Sequence, residues 1–357
     1  MYSLIEKLRD TQELTKKEWI MLIEHLSSAE DNSSVAEYLF AQARTVRHAQ
    51  YGKKVFIRGL IEISNICKND CYYCGIRASN KNAKRYRLMP DEIFKCAEEG
   101  HKLGFRTFVL QGGEDSYFSD DVLTNIISTL KARYEDSAVT LSLGERSQES
   151  YQQLRNAGAD RYLLRHETAN DSHYSLLHPN TMKLETRKQC LFNLKKVGFQ
   201  TGSGFMVGSP YQTTENLAED MLFLKDLNPE MVGIGPFIPH CDTPFASYLS
   251  GSVKMTVFLI ALIRLMLPKS LIPATTALGT LHDFGREKGI LAGANVIMPN
   301  LSPESAREKY TLYNNKLHSG AEAAEHLEML KERMNKIGYQ ITIERGDCLC
   351  TNTTPNH

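Results

Sequence analysis

Short apolar runs rich in β-branched residues recur along the chain at residues 55–63, 107–110, 139–143, 162–164, 204–207, 231–234, 272–276 and 295–298. Between them lie stretches whose apolar positions repeat every three to four residues, at 91–103, 120–133, 149–156, 185–197, 214–227, 254–267 and 282–291. Strands that alternate with helices predict a parallel sheet. Gly104, Gly158, Gly198 and Gly293 precede strands, where a helix must stop and the chain must turn. Eight such units suit a closed (β/α)8 TIM barrel better than an open Rossmann sheet, and no G-x-G-x-x-G follows the first strand. A six-stranded partial barrel with a C-terminal cap is the alternative. Residues 1–50 are predicted as an N-terminal helical extension covering the barrel's bottom or side, with capping boxes at Thr15-Lys-Lys-Glu18 and Ser34-Val-Ala-Glu37. The barrel then spans 51–318. Residues 319–357 form a small C-terminal cap: a charged helix to Lys336, a strand at 340–343 and a loose end with Cys348 and Cys350, too close in sequence to pair with each other.

Composition narrows the class. The chain has 357 residues, 42% hydrophobic and 24% charged, enough for a large core. Lys plus Arg balances Asp plus Glu at 42 each, which gives no reason to expect a nucleic-acid or membrane partner and makes a small molecule the default substrate. No apolar run reaches membrane-spanning length, the best being broken by Arg264. The first residues lack a secretion signal's apolar core, and eight cysteines without such a leader fit the reducing cytoplasm.

Chemistry concentrates at Cys67, Cys71 and Cys74. Spacings of four and then three residues wrap three thiolates around one small object and supply no fourth. Iron-sulfur clusters ordinarily take four thiolates, so the missing ligand leaves one iron open, as at catalytic metals. The competing reading is half of a structural zinc site, although no facing C-x2-C pair exists. Cys96 and Cys190 fall in helical stretches and read as buried small hydrophobes.

In a barrel of this kind, residues just after each strand face a shared cavity. They are the cysteine loop, Gln111-Gly112-Gly113-Glu114-Asp115, then Thr140, Ser142 and Glu145, then Arg165-His166-Glu167. That last dense polar run needs a polar ligand or mutual ion pairs. Residues 204–208 and 233–240 combine apolar side chains with glycines suited to an adenine ring, and Thr275 and Thr276 place two hydroxyls at the rim.

The pattern C-x3-C-x2-C with Tyr73 before the last cysteine resembles the signature of the radical S-adenosylmethionine superfamily. Over residues 15–315, the cysteine loop, Gly-Gly-Glu-Asp, Ser-Leu-Gly-Glu, Arg-His-Glu-Thr-Ala-Asn, Gly-Pro-Phe-Ile-Pro-His and Ile-Pro-Ala-Thr-Thr-Ala resemble, in order, the HydE-type maturases of FeFe-hydrogenase. The resemblance implies one 4Fe-4S cluster on Cys67, Cys71 and Cys74, and S-adenosylmethionine held by Tyr73, Gln111, Gly112, Gly113, Glu114, Glu167, Arg187 and Tyr310. It places a substrate site at Ser142, Arg165, Thr275 and Thr276 for an organometallic iron-cysteine or amino-acid-like molecule, and other hydrogenase maturases as partners. The implied chemistry is reductive cleavage of S-adenosylmethionine to a 5′-deoxyadenosyl radical, in anaerobic assembly of the H-cluster dithiolate bridge. Some family members carry a second cysteine set where residues 312–320 have none, so a single cluster is expected here.

Three other functions compete. Sulfur insertion of the biotin synthase kind needs thiolates on the strands, which have none. A methylornithine-synthase-like mutase is closer, and a non-enzymatic carrier of a metal precursor is the third. Arg77, Lys81, Lys84, Arg85 and Arg87 follow the cysteines without an acidic residue, a solvated loop or a dock for an acidic flavodoxin or ferredoxin.

Overall fold

The structure, a computed structural model, describes residues 1–30, 33–319 and 324–350. Residues 320–323 and 351–357 of the expected cap lie outside the described residues. Three helices open the chain, α1 (Tyr2–Thr11), α2 (Lys16–Ser28) and α3 (Ser34–Tyr51). The Thr15 capping box forms as expected, whereas the second helix signal is one residue off: Ser33, not Ser34, is the N-cap and accepts from the Ala36 amide.

The barrel strands are β1 (Lys54–Ile57), β2 (Gly59–Ser64), β3 (Thr107–Gly112), β4 (Ala138–Ser142), β5 (Arg161–Leu163), β6 (Gln200–Ser203), β7 (Met206–Val207), β8 (Met231–Val232), β9 (Gly235–Pro236) and β10 (Val296–Ile297). All named pairings are parallel. One sheet runs β2-β3-β4-β5-β6-β8 and another β10-β1-β11, where β11 is Gln340–Thr342. Single bridges close the circle: Met231 to Leu271, Pro273 to Val296, and Leu60 to Asn300. The (β/α)8 barrel is therefore complete, and the partial barrel is set aside.

Two strands differ from expectation. The fifth is β6 at Gln200–Ser203, while Met206 and Val207 stand above it and pair with β9. The seventh shrinks to bridges at Leu271 and Pro273, because Thr276 already begins a helix.

The helices between strands are α4 (Pro90–Lys102), α5 (Asp120–Arg133), α6 (Gln148–Asn156), α7 (Asp171–Leu177), α8 (Leu184–Lys196), α9 (Thr214–Leu227), α10 (Val253–Met266), α11 (Thr276–Leu281), α12 (Gly285–Leu291) and α13 (Glu304–Arg307), with α14 (Leu327–Lys336) in the tail. The helix expected at 282–291 is α12, and α7, α11 and α13 are additions. Strand residues of one parity, such as Ile61, Ile63, Leu110, Leu141 and Leu164, join the helices in one continuous core. The other parity faces the lumen, where register aligns Glu62, Gln111 and Ser142 in one row.

The N-terminal helices cover the side of the barrel, α2 against α9, and α1 and α3 against α10. That cover explains why α10 is buried from Met255 to Met266, Arg264 included. The Arg264 guanidinium donates to the carbonyls of Pro268, Ser270 and Gly293 and to Asn295 Oδ1. Among the described residues no helix is long and apolar enough to cross a membrane.

Candidate active site

The cysteine loop leaves β2 at the carboxyl end of the barrel and is tied to the strand ends beside it. The Lys68 amide donates to the Glu114 carbonyl at 3.1 Å, and the Glu114 amide points at Cys67 Sγ at 3.4 Å. Gly113 makes the approach possible: a Cβ there would stand 2.7 Å from Cys67 Cβ and run into the Ile66 carbonyl. On the other side, Tyr72 donates its amide to Leu177 O at 3.0 Å, Tyr73 Oη lies 3.1 Å from His178 Nε2, and Cys71 Sγ lies 3.8 Å from Met182 Sδ. Below, Arg85 donates to the carbonyls of Asn65, Ile76, Arg77 and Asn80, closing the loop on itself.

The donor set fits an iron-sulfur cube better than a zinc ion. In a tetrahedral zinc site with Zn–S near 2.3 Å, sulfurs stand about 3.8 Å apart. Among the described residues, the one trio of metal-binding side chains with ligand atoms within 4.8 Å of one another is His240, Cys241 and Asp242, with His240 buried; the three loop thiols do not form such a trio. Burial pushes Cys71 up to about 12 and also raises Cys67 and Cys74, and the thiolates oppose one another's ionisation. Three such thiols become ligands only around a positively charged core. The other cysteines do not supply a fourth ligand from the barrel wall: Cys96 and Cys190 are buried on outer helices, as expected, Cys241 is exposed on the turn after His240, and Cys348 and Cys350 lie at the opposite end.

The residues expected to hold the cofactor converge on the same mouth. The Glu114 carboxylate accepts from the Glu145 amide at 3.0 Å and pairs with Lys68 at 3.0 Å. Tyr310 is 2% exposed, with Gln111 Nε2 at 3.4 Å from its hydroxyl. Gly112 continues β3 beside Ser64. Arg187 reaches in from α8, giving Nε to Glu145 at 2.6 Å and Nη1 to Arg165 O at 3.2 Å. Glu167 holds φ at +67°, pinned by its amide to Gly204 O and by the Met206 amide to its carbonyl. Arg165 Nη2 approaches Glu167 Oε2 to 2.9 Å without the angle of a hydrogen bond, so both atoms remain unsatisfied although buried.

Thr140 Oγ1, Tyr174 Oη and Thr275 Oγ1 are likewise buried without partners. Orphaned polar atoms on β4, on α7 and after the seventh strand are the fit expected of a polar ligand. Ser142 ends β4 on the lumen side, next to Gln111 in register, and Thr276 opens α11 directly above Thr275.

Some expectations are corrected. His166 does not face the mouth: alternation turns it outward, where it is fully buried between Ser203 Oγ at 2.9 Å and Asp220 at 3.2 Å. The basic run is mostly committed inside the protein, since Arg77 pairs with Asp70, Arg87 with Asp115 at 2.7 Å, and Arg85 with its four carbonyls. Lys81 and Lys84 are the exposed cations of that loop. Cys348 is no loose thiol but is 3% exposed, donating to Lys269 O.

The structure also adds residues to the mouth. Glu62, fully buried on the lumen side of β2, pairs with Lys316 at 2.8 Å. It is absent from the residues expected from sequence, although a carboxylate inside the apolar run Gly-Leu-Ile-Glu-Ile is a signal that could have marked it. Tyr174, His178 and Met182 lie in α7 and its connector, where no apolar period announced them.

Comparison with known proteins agrees with this geometry. A model of the Radical SAM superfamily matches residues 61–224. The [FeFe] hydrogenase maturase subunit HydE of Thermotoga maritima is 47% identical over 314 residues, 88% of each chain. A 3-methylornithine synthase of Methanosarcina acetivorans is 28% identical over 283 residues, 79% of each chain. Among solved structures, a crystal structure of methylornithine synthase superposes with a TM-score of 0.81 at 25% identity, covering 95% of this chain and 97% of that one.

Proposed function

The chain belongs to the radical S-adenosylmethionine superfamily and, within it, to the HydE-type [FeFe]-hydrogenase maturases, and on that footing we propose how its residues divide the work. Cys67, Cys71 and Cys74 hold one 4Fe-4S cluster with an open iron. Gly112, Gly113 and Glu114 receive the amino group of S-adenosylmethionine, Arg187 its carboxylate, Glu167 its ribose, and Tyr73, Gln111 and Tyr310 line its remaining surface. With both groups bound, the site supplies reductive cleavage to methionine and a 5′-deoxyadenosyl radical.

The chain's part is orientation and exclusion. Arg165, Thr275, Thr276 and Ser142 hold a small substrate below the cofactor, with the Arg165 cation set for a carboxylate or another anionic group. The barrel wall keeps water and stray hydrogen donors from the lumen. An organometallic iron-cysteine precursor of the H-cluster dithiolate bridge suits this arrangement, with other hydrogenase maturases supplying and receiving cargo in an anaerobic cytoplasm. Lys81 and Lys84 form the docking edge for an acidic flavodoxin or ferredoxin. In this reading residues 51–318 carry the site, the helices within 1–50 brace its side and, of the tail 319–357, the described residues 340–350 close its base.

The observation that carries the proposal is the trio of partly accessible thiols at the barrel mouth, together with the Arg165–Glu167 ion pair, whose facing atoms make no hydrogen bond, and the orphaned Thr275 Oγ1. Under argon with dithionite and S-adenosylmethionine, the reconstituted protein should release 5′-deoxyadenosine and hold about four irons. The Cys67→Ala, Cys71→Ala, Cys74→Ala triple variant should do neither. Release of no 5′-deoxyadenosine by the iron-loaded protein would leave the carrier reading standing, and formation of methylornithine would favour the mutase.

A further inference from the structure

The connector from α7 to α8 touches three consecutive residues of the cysteine loop. Leu177 O takes the Tyr72 amide, His178 Nε2 meets the Tyr73 hydroxyl, and Met182 Sδ lies against Cys71 Sγ. Of these contacts the second fixes a side chain rather than a backbone. His178 Nδ1 is 3.0 Å from the carbonyl of Tyr174, which can only accept, so Nδ1 carries the proton. Nε2 is then an acceptor, and Tyr73 must be the donor of the 3.1 Å bond.

The imidazole is itself immobilised. It is 1% exposed and stacks on the Tyr174 ring, 3.9 Å between centroids and 20° apart in plane, while the Tyr73 ring meets its edge at 5.3 Å and 89°. Burial holds the imidazole down at about 3, which favours the neutral ring that the two hydrogen bonds require. Tyr73 is partly accessible, so one part of it remains available to a ligand while its hydroxyl is tied down.

We propose that His178 is a positioning residue for the cofactor: its hydrogen bond to Tyr73 sets the aromatic wall beside the three thiols against which S-adenosylmethionine lies. The inference rests on the reading of Tyr73 as a cofactor contact. It assigns a role to a residue that lies outside every motif of the site. The ring of Tyr73 has two soft torsions, and a wall free to turn about them would cost the cofactor ordering entropy on binding. The fixed tautomer removes that freedom beforehand.

The test uses the full chain with its cluster reconstituted, and titration with S-adenosylhomocysteine, an unreactive probe of the same site. His178→Leu should keep the wild-type iron content and melting temperature yet bind the probe about five- to tenfold more weakly, the loss of one hydrogen bond. Tyr73→Phe, which removes only the hydroxyl, should weaken binding equally, and the double variant no further. His178→Gln, whose amide oxygen reaches the place of Nε2, should recover affinity to within about twofold. In turnover the loss should fall on KM for S-adenosylmethionine and spare kcat.

Unchanged affinity in Tyr73→Phe, or additive losses in the double variant, would overturn the proposal even if His178→Leu proved too unstable to load. A wild-type protein that fails to bind the probe would instead bring down the function proposed above.

Discussion

At φ +67° Glu167 holds a left-handed backbone that costs a non-glycine residue about 1–3 kcal/mol. Two backbone hydrogen bonds to the β6–β7 turn over-determine it, and its carboxylate is aimed at an ion-pair partner it does not satisfy. A purely structural residue at this position would have been glycine, whose φ is free. Glu167→Gly should therefore exceed Glu167→Ala in stability by about 1 kcal/mol in denaturant melts, since only glycine relaxes the backbone. Both variants should lose affinity for S-adenosylhomocysteine alike; a glycine variant that keeps affinity would remove Glu167 from the cofactor site. Most of this chemistry was legible because polar residues directly after an apolar run stand out. His166 was misread because position along the chain does not reveal parity: flanked by Arg165 and Glu167, it turns to the opposite face and joins Asp220 and Ser203.

Among the elements, the cysteine loop shows how charge read from sequence misleads. The run from Arg77 to Arg87 looks like a docking patch, yet Arg85 is a brace, satisfying four carbonyls that would otherwise be orphaned in a turn without regular structure. Arg85→Ala should cost about 2–4 kcal/mol and lower iron retention, because those carbonyls lie on both sides of the thiols. Lys81→Glu with Lys84→Glu should change stability by no more than about 0.5 kcal/mol while slowing reduction by flavodoxin and flattening its salt dependence. Equal effects of the two substitutions on iron content would refute the distinction. Strand β6 shows the converse. Gln200-Thr-Gly-Ser reads as polar because the Thr201 hydroxyl donates to Phe199 O and the Ser203 hydroxyl meets His166, so the apolar signal moved to residues 204–207 beyond the strand. The helices were more legible, α5 and α9 to the residue, since a 3.6-residue period over three or four turns averages out single exceptions.

The whole molecule has one open end and one sealed end, and the seal is the part that sequence pattern left unread. Residues 345–350 pack under the barrel, with the Thr107 hydroxyl donating to Arg345 O at 2.8 Å. Arg161, fully buried on β5, gives its donors to Thr107 Oγ1, Gln200 Oε1, the carbonyls of Arg345 and Gly346, and Asp347 at 2.5 Å. Burial alone would raise the Asp347 carboxyl, but the Arg161 and Arg345 cations outweigh it and hold it at about 2. A carboxylate with a depressed folded value contributes stability above its unfolded value near 4, and loses it as pH falls toward 2. Asp347→Asn should therefore cost about 1–2 kcal/mol at pH 7, less than a fully buried pair would because the Asp347 side chain is 36% exposed. The variant should also show a shallower loss of melting temperature between pH 4 and about pH 2 than the wild type. The catalytic mouth lies at the other end of the strands, so binding of S-adenosylhomocysteine by the folded Asp347→Asn protein should match the wild type; a selective loss of binding would mean that the two ends of the barrel are coupled, and that the tail does more than close it.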